Sequence, residues 1–277
     1  LARLTELRAK FPREARLCRL SARVLKLLGR EQAAEERYRE GLAMDPRALE
    51  MELDLADLLL EQERLDEAEA AIEQAVAKAP RHPRALALVG DLKARVGETR
   101  EAISCLRRSI RLDPSASWVR RRLAEVLEQE GRHEERLEVL EDALLADPGS
   151  ALNHGYLGEA LEEAGRLQEA ERELHRALEL DASYGWAGRK LCDLLSEQGR
   201  LDEAHAILKA LLDRDPLDPY NHGYLAEILR RKHLLEESQA ALRTALWLHP
   251  AYAWAARELS MILCGQGRLS EARDVLS

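Results

Sequence analysis

Large apolar, small and polar residues follow one another along this chain with two superposed beats, one helical and one of 34 residues. Repeats are numbered here so that a recurrent glycine takes position 15 and a recurrent proline position 32. Position 7 then reads Leu55, Val89, Leu123, Leu157, Leu191, Leu225 and Leu259, with Ser21 the exception. Position 24 is bulky in every repeat: Tyr38, Ile72, Leu106, Leu140, Leu174, Leu208 and Leu242. Position 8 is always small (Ala22, Ala56, Gly90, Ala124, Gly158, Cys192, Ala226, Ser260), and position 20 is alanine except at Arg136 and Ser238. Apolar residues spaced in this way predict two amphipathic helices per repeat. Small residues at 8 and 20 let the two helices approach, and the large ones at 7 and 24 fill the space that remains.

The punctuation agrees. Gly29, Gly97, Gly131, Gly165, Gly199 and Gly267 end the first helix of their repeats, because glycine tolerates a left-handed cap; Glu63 and His233 take the slot in the other two. Pro12, Pro46, Pro80, Pro114, Pro148, Pro216 and Pro250 follow the second helix, with Ala182 the single break in the series. Asp-Pro pairs such as Asp45-Pro46 and Asp215-Pro216 stop a helix and turn the chain. Full repeats run 15–48, 49–82, 83–116, 117–150, 151–184, 185–218 and 219–252, a partial one covers 253–277, and residues 1–14 read as the tail of an earlier one. No repeat can bury its apolar face alone, so neighbours must stack.

This pattern resembles the tetratricopeptide repeat, with its signature W-x2-L-G-x2-Y, then A-x3-F, then P. The resemblance runs over essentially the whole chain and implies an all-α, right-handed superhelical solenoid forming one domain over 1–277. It also implies that positions 2, 5, 6 and 9 of the first helices line a concave groove for a peptide or partner protein. The departure is at position 4, the signature tryptophan, which here holds Cys18, Glu52, Leu86, Arg120, His154, Gly188, His222 and Ala256. Leu1 falls within a second helix and Ser277 at position 25 of one, with no polar capping repeat. A longer parent protein is the first expectation, self-association of open ends the second.

Composition narrows the classes. Of 277 residues 34% are charged and 4% aromatic, the profile of a long helical array. A net charge of −9 argues against a nucleic-acid or anionic-membrane partner. Neither a bilayer-spanning apolar run nor a signal peptide is visible. Cys18, Cys105, Cys192 and Cys264 form no CxxC pair and read as reduced thiols, so a reducing, cytoplasmic location is expected.

Candidate chemistry lies in a second beat of 68 residues. Trp118, Trp186 and Trp254 occupy position 2 of alternate repeats, each followed three residues later by Arg121, Arg189 or Arg257. Between them stand Asn153-His-Gly-Tyr156 and Asn221-His-Gly-Tyr224, and Tyr220 also occupies position 2. Glycine inside a helix costs about 1 kcal/mol relative to alanine, so Gly155 and Gly223 at position 5 imply that space is needed there. Position 9 is acidic in six consecutive repeats, including Glu125, Glu159, Asp193 and Glu227. Two plainer readings compete: the tryptophans pack on the next repeat or lie over their arginines, and Arg121–Glu125 and Arg189–Asp193 form intrahelical pairs. Those pairs would leave Glu159 and Glu227 unpaired, each four residues after a glycine. The basic set Arg16, Arg19, Arg23 and Lys26 reads as a solvated face, with an acidic partner as the alternative.

The groove therefore carries candidate apolar anchors (Trp118, Tyr156, Trp186, Tyr220, Tyr224, Trp254), donors (Arg121, Arg189, Arg257) and acceptors (Glu125, Glu159, Asp193, Glu227). No unit has the asparagine at position 6 or 9 of a chaperone-tail carboxylate clamp, and none has the position-6 asparagine of the sugar-transferase arms. His154 and His222 read as packing residues, and the other histidines lack metal-ligand spacing. No catalytic set and no cofactor or metal site is expected. The reading is a non-catalytic interaction module over residues 118–257 that binds an extended peptide or protein segment. Two alternatives stay open: the recognition arm of a larger enzyme, and a scaffold assembling through its open ends.

Overall fold

The computed structural model describes residues 14–276 together with Arg3, Lys10 and Phe11. Pro12 and most of the segment 1–14 lie outside the described residues. Among those described, every regular element is a helix. The chain divides into two compact units, Leu1–Ala146 and Asp147–Ser277, which are taken separately.

The first unit contains α1 (Ala15–Leu27), α2 (Glu31–Met44), α3 (Leu49–Glu61), α4 (Leu65–Lys78), α5 (Pro83–Arg95), α6 (Thr99–Leu112), α7 (Ser117–Gln129) and α8 (His133–Ala146). The second contains α9 (Ala151–Glu163), α10 (Leu167–Leu180), α11 (Gly185–Glu197), α12 (Leu201–Arg214), α13 (Pro219–Arg231), α14 (Leu235–Leu248), α15 (Ala253–Gly265) and α16 (Leu269–Leu276). First helices occupy positions 1–13 of their repeats and full second helices 17–30, so each unit is an all-α helical repeat solenoid.

A left-handed residue at position 15 turns each first helix into its partner. Gly29 has φ +69°, and its neighbours close the turn: Arg30 N–H donates to Leu25 O and Gly29 N–H to Lys26 O, both at 2.9 Å. Glu63 (φ 57°) and His233 (φ 62°) adopt the same backbone without being glycine, which carries strain of about 1–2 kcal/mol each. After the second helix an aspartate holds the turn. Asp45 Oδ1 accepts from Arg47 N–H at 3.0 Å, and Asp181 Oδ1 accepts from the amide and hydroxyl of Ser183 at 2.9 and 2.6 Å. The Ser183 bonds also hold the Asp181 carboxyl below its usual range. Ala182 is tolerated in the proline series because the aspartate closes this turn without it.

Packing follows the small and large positions. Ala22, Ala34, Ala56 and Ala68 are fully buried in one apolar cluster with Leu53, Leu58 and Leu88. At Gly158 a Cβ would sit 2.7 Å from Leu174 Cγ, closer than real contacts allow, so in this repeat the close approach rests on glycine. Polar residues in these slots find carbonyls: Ser238 Oγ donates to Ala226 O at 2.7 Å and Cys192 Sγ to Ala204 O at 3.4 Å. Arg136, the outlier at position 20, is buried and reaches Glu128 at 3.2 Å.

In three repeats position 4 replaces its missing tryptophan with a hydrogen bond to the upstream turn. Arg120 Nη1 donates to Pro114 O at 2.7 Å, His154 Nε2 meets Pro148 O at 3.1 Å, and His222 Nε2 meets Pro216 O at 2.9 Å. His154 Nδ1 also lies 2.7 Å from Glu173, across the helix pair. Among the described residues no helix is long and apolar enough to cross a membrane.

Candidate functional site

In the second unit the 68-residue beat becomes a three-dimensional motif. A Cβ added to Gly155 would meet Tyr184 Cε1 at 2.9 Å and Trp186 Cζ3 at 3.1 Å. One added to Gly223 would meet Tyr252 Oη at 2.9 Å and Trp254 Cζ3 at 3.3 Å. The space implied by both glycines is occupied by the Tyr that ends the same repeat and the Trp at position 2 of the following one. Tyr184 stacks on Trp186 with centroids 5.7 Å apart, and Tyr156 lies 5.8 Å from the same indole. Tyr252 repeats the arrangement, 5.8 Å from Trp254 and edge-on to Tyr220 at 5.2 Å. Trp186 and Trp254 thus pack against the preceding repeat and not the next, yet both remain half-buried. The sequence reading missed Tyr184 and Tyr252; the signal was the pair Tyr184-Gly-Trp186 and Tyr252-Ala-Trp254, in the same register.

The charged residues pair differently from expectation. Glu159 and Glu227, expected to be unpaired, are not: Lys190 reaches Glu159 at 2.8 Å, and Arg230 forks onto Glu227 at 2.7 and 2.9 Å. Arg189 does not pair with Asp193. It turns to the end of its own repeat and the start of the next, donating to Asp218 at 3.0 Å and Asn221 at 2.8 Å, with its guanidinium carbon 5.7 Å from the Tyr220 centroid and 6.0 Å from that of Tyr224. The cation over Trp186 is Lys190, at 5.8 Å, and not Arg189. Position 6 of one repeat faces position 9 of the repeat before it, as in Lys190–Glu159 and Tyr224–Asp193, both 31 residues apart. Arg189, at position 5, reaches the turn into the next repeat instead.

Asp193 accepts the Tyr224 hydroxyl at 3.1 Å. The side chains around Asp193 crowd water away and push its carboxyl above the usual range, although the residue is still exposed within a recess. Burial, then the charge of Asp193, pushes the Tyr224 phenol up to about 12. Burial acts to lower the Lys190 ammonium, but the Glu159 hydrogen bond and charge outweigh it and raise the value.

Asp193, Tyr224, Glu227, Tyr252, Trp254 and Glu258 converge on one cavity of about 440 Å³, edged by Arg230 and Arg231. Of the expected site residues the structure therefore brings Asp193, Tyr224, Glu227 and Trp254 together, with Arg189 and Tyr220 behind them. Tyr156, Glu159 and Trp186 form a second cluster. Arg257 is mostly exposed, 3.1 Å from Glu258.

In the first unit Trp118 is exposed at the start of α7. Arg121 lies 3.5 Å from Ser117 Oγ, and Glu125 is engaged by Arg122 at 2.7 Å. Arg122 also bonds Asp91. Two of the four basic residues read as a solvated face are taken up the same way: Arg19 bonds Asp54 at 2.7 Å and Lys26 bonds Asp57 at 3.2 Å.

Stacked helix pairs whose first helices gather aromatic and charged side chains on one face define a helical-repeat interaction protein. Residues 25–92 and 161–228 match the family described as Tetratricopeptide repeat, and residues 90–151 and 137–184 match a second family of the same description. The chain belongs to the tetratricopeptide-repeat family, whose members act as protein–protein interaction modules. No functionally curated protein matches the sequence. Among solved structures, the chain resembles one in the crystal structure of the APC/C hetero-tetramer Cut9-Hcn1, with TM-score 0.65 and 17% identity over 92% of this chain. It spans half of that chain's length. It also resembles the pilF protein of Pseudomonas aeruginosa, with TM-score 0.62 and 15% identity, covering 75% of this chain and 95% of that one. These likenesses establish the fold alone.

Proposed function

We propose that this chain is a non-catalytic interaction module that holds an extended peptide or protein segment on the first-helix face of its second unit. One observation carries the reading. Positions 2, 6 and 9 of three successive repeats, through Trp254, Tyr224 with Glu258, and Asp193 with Glu227, open onto the same recess. Half-buried aromatic side chains beside charged groups are the usual composition of a binding hot spot. An extended segment presents unpaired amides and carbonyls, which these carboxylates and Arg257 could meet. Trp186 and Tyr156, one double repeat upstream, would give a second anchor, so a ligand long enough to reach both would bind with two contacts.

The test is selection of a displayed random-peptide library on this chain and on a variant with Trp118, Trp186 and Trp254 all changed to Ala, with circular dichroism confirming that the variant stays folded. Loss of the selected peptides' binding at unchanged helicity supports the reading. Equal binding by both folded proteins contradicts it.

A further inference from the structure

Each carboxylate around the recess has a different supply of positive charge. In the second unit, position 6 of one repeat faces position 9 of the repeat before it, and the pairs are complementary at Lys190–Glu159 and Tyr224–Asp193. The next pair in this register is Glu258 with Glu227, a carboxylate against a carboxylate. Arg230 answers Glu227 with two bonds. Glu258 is less well served: its side chain is only 14% exposed, and its one ion-pair partner among the described residues, Arg257, is 64% exposed. Asp193 has no cation within ion-pair distance among the described residues, only the neutral Tyr224 hydroxyl. Asp193 is still reached by solvent, so its carboxylate is open to a cation brought by a ligand.

The same chain contains a filled version of this arrangement. In the cluster 68 residues upstream, the Lys190 ammonium lies 5.8 Å from the Trp186 centroid and 2.8 Å from Glu159. The counterparts of Trp186, Glu159 and Lys190 are Trp254, Glu227 and Glu258. The lysine that occupies the upstream cluster is thus replaced by an acid, and the cavity stands open beside Trp254 and Tyr252. An indole face with carboxylates beside it is a favourable setting for an ammonium or guanidinium group.

We propose that this recess receives a basic side chain, lysine or arginine, of the bound segment, with the cation against Trp254 and held by Asp193 and Glu258. The proposal rests on the peptide-binding reading above and specifies what one anchor must be. Tyr224, Arg189 and Lys190 supply too little positive character to answer Asp193, whose carboxyl is raised by the walls around it despite them.

The experiment uses random dodecapeptides, N-terminally acetylated and displayed, selected on the intact chain. Selected peptides are resynthesised with each Lys or Arg replaced in turn by norleucine, and affinities are measured for the wild type and for Trp254→Ala, Asp193→Asn and Glu258→Gln. Asn keeps an acceptor for Tyr224, so the fold of the site is retained. The expected result is one basic residue whose replacement weakens wild-type binding at least ten-fold, with most of that difference lost in Asp193→Asn or Glu258→Gln. Peptides that depend on Trp254 yet show no obligatory Lys or Arg, or that require Asp or Glu, overturn the proposal and leave the groove reading standing. A basic preference undiminished in both variants also overturns it. Binding indifferent to Trp254→Ala, or no selected peptide at all, overturns the groove reading and this proposal with it.

Discussion

Replacing Gly223 by alanine tests how tightly the aromatic wall is built. Alanine is the better helix former by about 1 kcal/mol at an interior position, so at an open site the change stabilises. At 223 the new Cβ would lie 2.9 Å from Tyr252 Oη, 3.0 Å from Tyr252 Cε1 and 3.3 Å from Trp254 Cζ3. Ordinary contact begins at 3.4 Å, so the tyrosine ring must retreat by several tenths of an ångström. Behind it stand Tyr220 at 5.2 Å and His249 at 6.2 Å between centroids, which limit that retreat. Overpacking of this kind costs about 1–3 kcal/mol. The net expectation is a loss of about 0–2 kcal/mol once the helix gain is subtracted. Gly265, at the end of α15 with nothing within 4 Å of a Cβ, is the matched control and should gain up to about 1 kcal/mol as alanine. Urea unfolding followed by circular dichroism measures both. A Gly223→Ala variant as stabilised as Gly265→Ala would refute the packing described here. Because Tyr252 and Trp254 also wall the recess, Gly223→Ala should weaken peptide binding as well.

Other consequences follow from the same geometry. Asp193 has a folded-state pKa above its unfolded value, so its charge opposes folding at neutral pH, and that penalty disappears as pH falls through the folded pKa. Asp193→Asn should therefore raise the thermal midpoint at pH 7, by an amount that shrinks towards pH 4; a gain independent of pH would contradict this. His233→Gly relieves a left-handed residue and should stabilise by about 1 kcal/mol in urea unfolding. Arg189→Ala removes bonds to Asp218 and Asn221 and the cation over two tyrosines, and should cost about 1–3 kcal/mol. Arg189→Lys, which lacks the planar fork, should recover only part of that.

The repeat boundaries, the left-handed caps and the small-residue slots were legible in the sequence because each answers to local rules or to contact within one helix pair. Glu63 and His233 could be assigned to the glycine slot from register alone, and both adopt its backbone. What the sequence did not show was which repeat answers which side chain. Arg189 has an acid four residues away on its own helix, yet its partners lie 29 and 32 residues on. Lys190 and Glu159 are separated by 31. Intrahelical spacing is visible in a one-dimensional string, whereas the offset between stacked helices depends on how closely the small residues let them approach. Gly155 and Gly223 announced a need for space, but only packing identified Tyr184 and Tyr252 as its occupants.

The most direct test is hydroxyl-radical footprinting of the protein with and without a selected peptide. Trp247 on α14 is 77% exposed and lies outside the recess, so it serves as an internal control. Peptide should lower the oxidation of Trp254, Tyr224 and Tyr252 while leaving Trp247 unchanged. Protection of Trp247 with unaltered oxidation at Trp254 would place the partner on the second helices and contradict the assignment of this recess as the binding site.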